Sequence, residues 1–285
     1  MVKLYPAGFD QTYFSADDWS DRVDRWIAKH RAGFSGGNAK VVRDVLRDLE
    51  TGLRMVVNIT AFSLHIVLRD NAYKNLYDRP AIGGRPREPS PMRKRVDDAL
   101  GLGPRTYFGA AALGGAGVRY YGEYCLVLSL DQVEGRARLL DRDSFDIELE
   151  PFRSLPLTED RLRALRGDWD TDRVDMAVLR VLLELGHDLR LVTSGTVSDT
   201  VLRDQEFIEV HLDGSFAPRS VEEVRESPDE TAIETSLRNC RDRGTPLDQV
   251  DQEWLQRRDW IGDQLARYGL RHRIVTLHGR GYQWK

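Results

Sequence analysis

RYYGEYCLVLSL (residues 119–130), RARLLDRDSFD (residues 136–146) and QEFIEVHLDG (residues 205–214) decide how this chain is read. Each is a short apolar run bounded by polar or glycine-containing turns, the pattern of a buried β-strand. The last places a carboxylate, Glu209, among Phe207, Ile208, Val210 and Leu212. Ionised carboxylates are rarely buried unless paired or used, because taking one out of water costs several kcal/mol. Two readings stand open at this point. Glu209 faces water, as every second residue of a half-buried strand does, or it is buried for a reason.

Outward from these strands, apolar spacing predicts helices over residues 16–29 and 39–50. Ser15 with Asp18, and then Asn38, supply the opening polar residues. Their stripes, Trp19, Val23, Trp26 and Ile27, then Val42, Val45, Leu46 and Leu49, read as core. A strand over 53–59 and a helix over 61–69 follow. A loop rich in Gly, Pro and Arg then runs from 78 to 91, ahead of a helix over 93–100. Strands over 106–113 and 123–130 flank a glycine turn at 114–117. Beyond Pro151 the pattern predicts helices over 159–166, 172–185, 221–225, 231–241 and 252–268. Strands are expected over 189–192, 206–212 and 273–277. This interleaving, without internal repeats, defines an α+β or mixed α/β protein.

A chain of 285 residues buries a substantial core without a metal or disulfide staple. The net charge of −4 gives no overall drive toward nucleic acid or an anionic membrane. The two cysteines, Cys125 and Cys240, lie far apart, and a reducing, cytoplasmic compartment is the natural expectation. No apolar run is long enough to span a bilayer, and the first residues lack the apolar stretch of an ordinary signal peptide. Secretion by another route stays open. None of the six histidines forms a helical pair of ligands with an adjacent Glu, and there is no CxxC, so no metal site is expected. Phosphate-loop, dinucleotide-binding and GxSxG patterns are absent as well.

Five segments, in order and spacing, resemble the ADP-ribosyltransferase-like proteins found among bacterial polymorphic toxins. They are RMVVNITAFSLHIVLRDNAYKN (residues 54–75), RTYFGAAAL (105–113), YGEYCLVL (121–128), RARLLDRDS (136–144) and FIEVHLDG (207–214). The resemblance implies an α+β fold with an ADP-ribosyltransferase-like split β-sheet core over residues 53–216. An N-terminal helical segment over 1–52 and a C-terminal helical extension with a terminal strand over 217–285 would flank it. It also implies NAD as substrate, with ADP-ribose transferred to a protein or nucleic-acid acceptor or NAD hydrolysed by water, in a bacterial toxin or effector.

Such chemistry passes through an oxocarbenium-like state and needs a carboxylate beside the ribose. By resemblance that carboxylate is Glu209. Asn58 and Arg54, which share a strand face, would hold the ribose and a phosphate, Tyr121 or Tyr120 would stack on the nicotinamide, and Ser144 would be a polar support. Two positions depart from the pattern: Phe207 stands where many of these toxins have Glu or Gln, and Asn58 where they have His or Arg. On the residues alone, Tyr120 and Tyr121 also read as half-buried strand aromatics, Arg54 as a solvated strand residue and His211 as a surface residue rather than a proton shuttle. The competing function is a catalytically inactive nucleotide- or nucleic-acid-binding protein. Residues 257–285 support it with seven Arg or Lys residues, two histidines and the aromatics Trp260, Tyr268, Tyr282 and Trp284. Nothing in the sequence speaks to oligomeric state.

Overall fold

A near-continuous apolar run along β1 (Arg54–Ile59) sets the architecture, because successive side chains point to opposite faces and both faces of this central strand are buried. The structure, a computed structural model, describes residues 19–30, 37–75, 90–144, 158, 162, 164–185 and 207–275. The strands β2 (Thr106–Ala112), β3 (Tyr124–Leu128), β4 (Ala137–Leu140), β5 (Arg166–Asp168), β6 (Glu209–Asp213), β7 (Val221–Glu226) and β8 (Arg271–Ile274) join β1 in one sheet. Its order is β5-β4-β6-β2-β1-β3-β7-β8. Every pairing is antiparallel except β7 with β8. Together with helices in both halves of the chain this is a mixed α+β protein built on one continuous eight-stranded sheet.

The helices are α1 (Trp19–Lys29), α2 (Gly37–Gly52), α3 (Ala61–Asp70), α4 (Pro91–Leu100), α5 (Leu130–Val133), α6 (Trp169–Leu185), α7 (Pro228–Asp242) and α8 (Gln249–Arg267). Side-chain caps fix several of their starts. Thr60, Ser90, Ser227 and Asp248 each accept a backbone N–H of the first turn, satisfying a donor that has no partner inside the helix. One sheet face carries Met55, Val57, Tyr107, Leu126, Leu139, Val210 and Val224 into the main core. Trp26 of α1, Leu64 and Leu68 of α3, Trp169 and Leu182 of α6, and Ile261 and Leu265 of α8 close that core. Helices α1 and α2 lie against α6, and α3 lies against α8. The opposite face is covered by smaller clusters. Val56, Ala110, Ala112, Cys125 and Val127 pack with Val118 and Phe207, and Leu140 packs with Val96, Leu162 and Leu165.

The predicted helix over 221–225 is corrected to strand β7, which extends the sheet beyond residue 216. Its two glutamates at 222 and 223 favour a helix in isolation. Pro228, however, opens α7 immediately afterwards and pushes the residue before it to an extended backbone, as seen at Ser227. Pairing with β3, through an irregularity between Val127 and Leu128, then fixes the segment as a strand. Strand β5 and the short helix α5 are not expected from the spacing, which places Arg166 at the end of a helix and Leu130 at the end of a strand. The other described elements agree with the spacing to within a few residues, with α6 beginning earlier, at Trp169, and α8 at Gln249. The expected strand over 189–192, most of the helix over 159–166 and most of the 78–91 loop fall outside the described residues. Among the described residues no helix is long and apolar enough to cross a membrane.

Between β2 and β3 the chain folds through the glycine turn and a 3-10 turn at Arg119–Tyr121, then crosses Gly122. Gly122 has φ 155° and ψ 162°, a region reserved for glycine. A Cβ there would collide with the Ile59 carbonyl group and the Thr60 nitrogen. Gly122→Ala is therefore expected to destabilise the protein by at least about 2 kcal/mol in urea unfolding; an unchanged midpoint would contradict this close approach.

Candidate active site

Strand pairing draws a row across the sheet, Val56 beside Ala110, Ala110 beside Glu209, and Glu209 beside Leu140. Directly opposed residues of antiparallel strands share a face. Glu209 therefore points to the side opposite the main core, together with His211 two residues further on. It is not a solvated alternate: Glu209 is 4 % exposed and His211 7 %.

The carboxylate is held from two directions. Oε2 accepts the Ser144 backbone N–H at 2.7 Å, and Oε1 accepts the Ser144 hydroxyl at 2.9 Å. His211 Nε2 lies 2.6 Å from Oε1. Arg93 of α4 donates to Ser144 Oγ at 2.6 Å, pairs with Asp97 at 2.8 Å, and lies over the Phe108 ring. Phe108, opposite His211 in the strand register, meets that imidazole edge-on at 5.3 Å between centroids. Burial alone would raise the Glu209 carboxyl. The hydrogen bond from His211, the Ser144 amide and the Arg93 guanidinium outweigh it and hold the carboxyl below its ordinary value, so it stays ionised.

Tyr121 borders this group. Its hydroxyl donates to Asp143, the neighbour of Ser144, at 3.3 Å, and its ring meets Phe207 edge-on at 6.4 Å. Burial of the hydroxyl, with the charges of Asp143 and Glu209, pushes the phenol above its ordinary value, so it remains a donor. Tyr120 stands edge-on to Tyr121 and is 58 % exposed. Both tyrosines sit on the 3-10 turn rather than in a strand.

Asn58 and Arg54 do not join Glu209. By strand spacing each lies about 12 Å from it across the sheet. Asn58 Nδ2 donates to the carbonyls of Ala116 at 2.9 Å and Gly122 at 3.1 Å, and its Oδ1 accepts the Val118 N–H at 2.8 Å. The side chain thus clamps the loop between β2 and β3. Arg54 donates to Glu222 at 3.3 Å and to the carbonyls of Thr51 and Leu53. Ser144 bonds Glu209 directly. His211, expected at the surface, is buried against the same carboxylate, and the sequence reading singles out neither Arg93 nor Phe108. The signal for His211 was its two-residue spacing from Glu209, which puts both on one strand face. Arg93 lies 116 positions from Glu209 in the chain (209 − 93), and nothing local announces that contact.

The basic aromatic segment is only partly a surface. Arg258 is 5 % exposed, its guanidinium donating to Glu226 at 2.7 Å and Glu234 at 2.6 Å, between the rings of Tyr124 and Trp254. Trp260 packs on His65, the Tyr268 hydroxyl donates to the Leu68 carbonyl, and Arg273 pairs with Glu223. Arg280, Tyr282, Trp284 and Lys285 lie outside the described residues. Among the described residues no group of three or more His, Cys, Asp or Glu side chains is arranged to hold a metal. No protein-family model matches the chain, and a search of the curated proteins finds no match either.

Two outcomes follow from this geometry. Asn58→Ala leaves backbone groups of the clamped loop without partners and is expected to cost about 2–4 kcal/mol in urea unfolding, whereas Arg54→Ala, losing a partly exposed ion pair, costs less than about 1 kcal/mol. Equal losses would remove the clamp from the account. Because the Glu209 carboxyl lies below its ordinary 4.5 in the folded state, its contribution to stability is full above that pH and is lost as pH falls through the folded value. The stability gap between wild type and Glu209→Gln should therefore narrow in acid, and a gap independent of pH would mean that Glu209 is not ionised.

Proposed function

We propose that the chain cleaves the nicotinamide–ribose bond of NAD, with Glu209 as the carboxylate that stabilises positive charge on the ribose. An ADP-ribosyltransferase-like core and delivery as a bacterial toxin or effector belong to the same proposal. The observation that carries it is the state of Glu209, a buried carboxylate kept ionised and oriented by Ser144 and His211. A carboxylate offers about four acceptor positions. Three are taken, which leaves one on Oε2 for a ribose hydroxyl.

In such a reaction the bond from ribose C1′ to the pyridinium nitrogen breaks, and its electron pair leaves with neutral nicotinamide. A fixed carboxylate in a dry setting stabilises the developing cation far more than it would in water. Arg93, the cation beside Ser144, replaces Arg54 as the candidate for a phosphate, since Arg54 lies about 12 Å from Glu209 across the sheet. Tyr120 and Tyr121 offer an aromatic edge near Glu209 for the nicotinamide or adenine ring. ADP-ribose would pass to a protein or nucleic-acid acceptor or to water.

The test is nicotinamide release from NAD by the purified protein, beside Glu209→Gln and with cell lysate as a source of acceptors. Release that the substitution lowers by a factor of about 100 or more is expected, and dependence on lysate would mark transfer rather than hydrolysis. A protein that neither releases nicotinamide nor binds NAD would refute the proposal.

A further inference from the structure

The pair formed by Glu209 and His211 has a feature that pairing alone does not call for. A neutral imidazole carries one hydrogen, and the nitrogen that bears it is set by the hydrogen bond the ring makes. Glu209 is ionised and can only accept, so in the neutral form of His211 the one hydrogen sits on Nε2, 2.6 Å away. The lone pair then belongs to Nδ1. Among the described residues Nδ1 has no hydrogen-bond partner. A histidine serving only to tie two elements together would gain from using both nitrogens; this one bonds a residue two places away on its own strand. Phe108, edge-on at 5.3 Å, fixes the plane of the ring from the neighbouring strand. A carboxylate that holds one imidazole nitrogen and leaves the other as a base is the arrangement by which hydrolases activate a hydroxyl.

We propose that His211 is the general base of this site and that the nucleophile it serves is an oxygen carrying a proton, either water or an acceptor hydroxyl. This rests on the reading of Glu209 as the carboxylate of an NAD-cleaving site. The step balances without a further reagent. An oxygen lone pair forms the bond to ribose C1′, the bond from C1′ to nitrogen breaks, and its electron pair departs on neutral nicotinamide, which needs no proton. The one proton set free, from the attacking oxygen, goes to Nδ1 of His211. Nothing is oxidised or reduced. Glu209 thus acts on both partners, steadying the ribose cation and fixing the tautomer of the base.

His211→Gln keeps an amide N–H where Nε2 stood and removes the base. The experiment measures nicotinamide release from NAD by wild type and by this variant, in plain buffer and with sodium azide, and measures NAD binding by both. Azide is an anionic nucleophile that requires no deprotonation. In plain buffer the variant is expected to bind NAD like wild type but turn it over about 100-fold or more slowly. Azide should restore its nicotinamide release, with ADP-ribosyl azide as the product. A variant as fast as wild type, or a slow variant that azide does not rescue, would overturn the role of His211 while leaving Glu209 in place. No release by wild type would overturn both.

Should His211→Gln fail to fold, wild type alone still decides. Its hydrolysis of NAD should show a normal solvent deuterium isotope effect that disappears when azide is the nucleophile. An effect of the same size with both nucleophiles, or with neither, would overturn the proposal.

Discussion

A buried carboxylate must find partners, and three glutamates of this sheet, Glu209, Glu223 and Glu226, impose that requirement on the elements around them. Glu226 is fully buried at the end of β7 and is met by Arg258 of α8 and by His272 of β8. Glu223, two strands from Val56, is met by Arg225 on its own strand and Arg273 on β8. These contacts seat the parallel edge strand and the last long helix on the sheet. Glu209 recruits in the same way from the other half of the chain, drawing in Ser144 after β4 and, through it, Arg93 of α4. Removing one partner from any of these sites strands a charge, which is far more costly than never having placed it there.

What the sequence revealed and what it withheld divide along physical lines. Apolar periodicity is local, and it located β1, β2, β3, β6, α3, α4 and α6 to within a few residues. Glu209 stood out for a local reason as well, as a charge inside an apolar run. The segment 221–225 misled because its helix propensity is local while the β3 pairing that overrides it is not. Asn58 is a ligand contact only by resemblance, as the polar residue near the end of an early strand. Its three bonds go instead to backbone groups about 60 positions away, and only the fold brings them near. Arg258 sat in a stretch rich in basic residues and read as surface, yet it is the cation that Glu226 required.

The networks around Glu226 and Glu209 both set a buried glutamate against a histidine, and they differ in how the bonds are distributed. Around Glu226 the partners tie separate elements together. Arg258 bridges β7 to α7 through Glu234, its guanidinium lies between two aromatic rings, and His272 adds the edge strand. Around Glu209 the closest partner, His211, belongs to the same strand, and its hydrogen bond brings no second element to the carboxylate; Ser144 does that. A charge network that serves architecture distributes its bonds between elements. The Glu209 network instead sets a buried imidazole against the carboxylate, beside two tyrosines on an outward turn, whereas the imidazole on Glu226, His272, is the more exposed one and belongs to the edge strand. Perturbed, over-determined carboxylates of that kind are where chemistry is to be sought first, and this asymmetry between two buried glutamates favours β6 over β7.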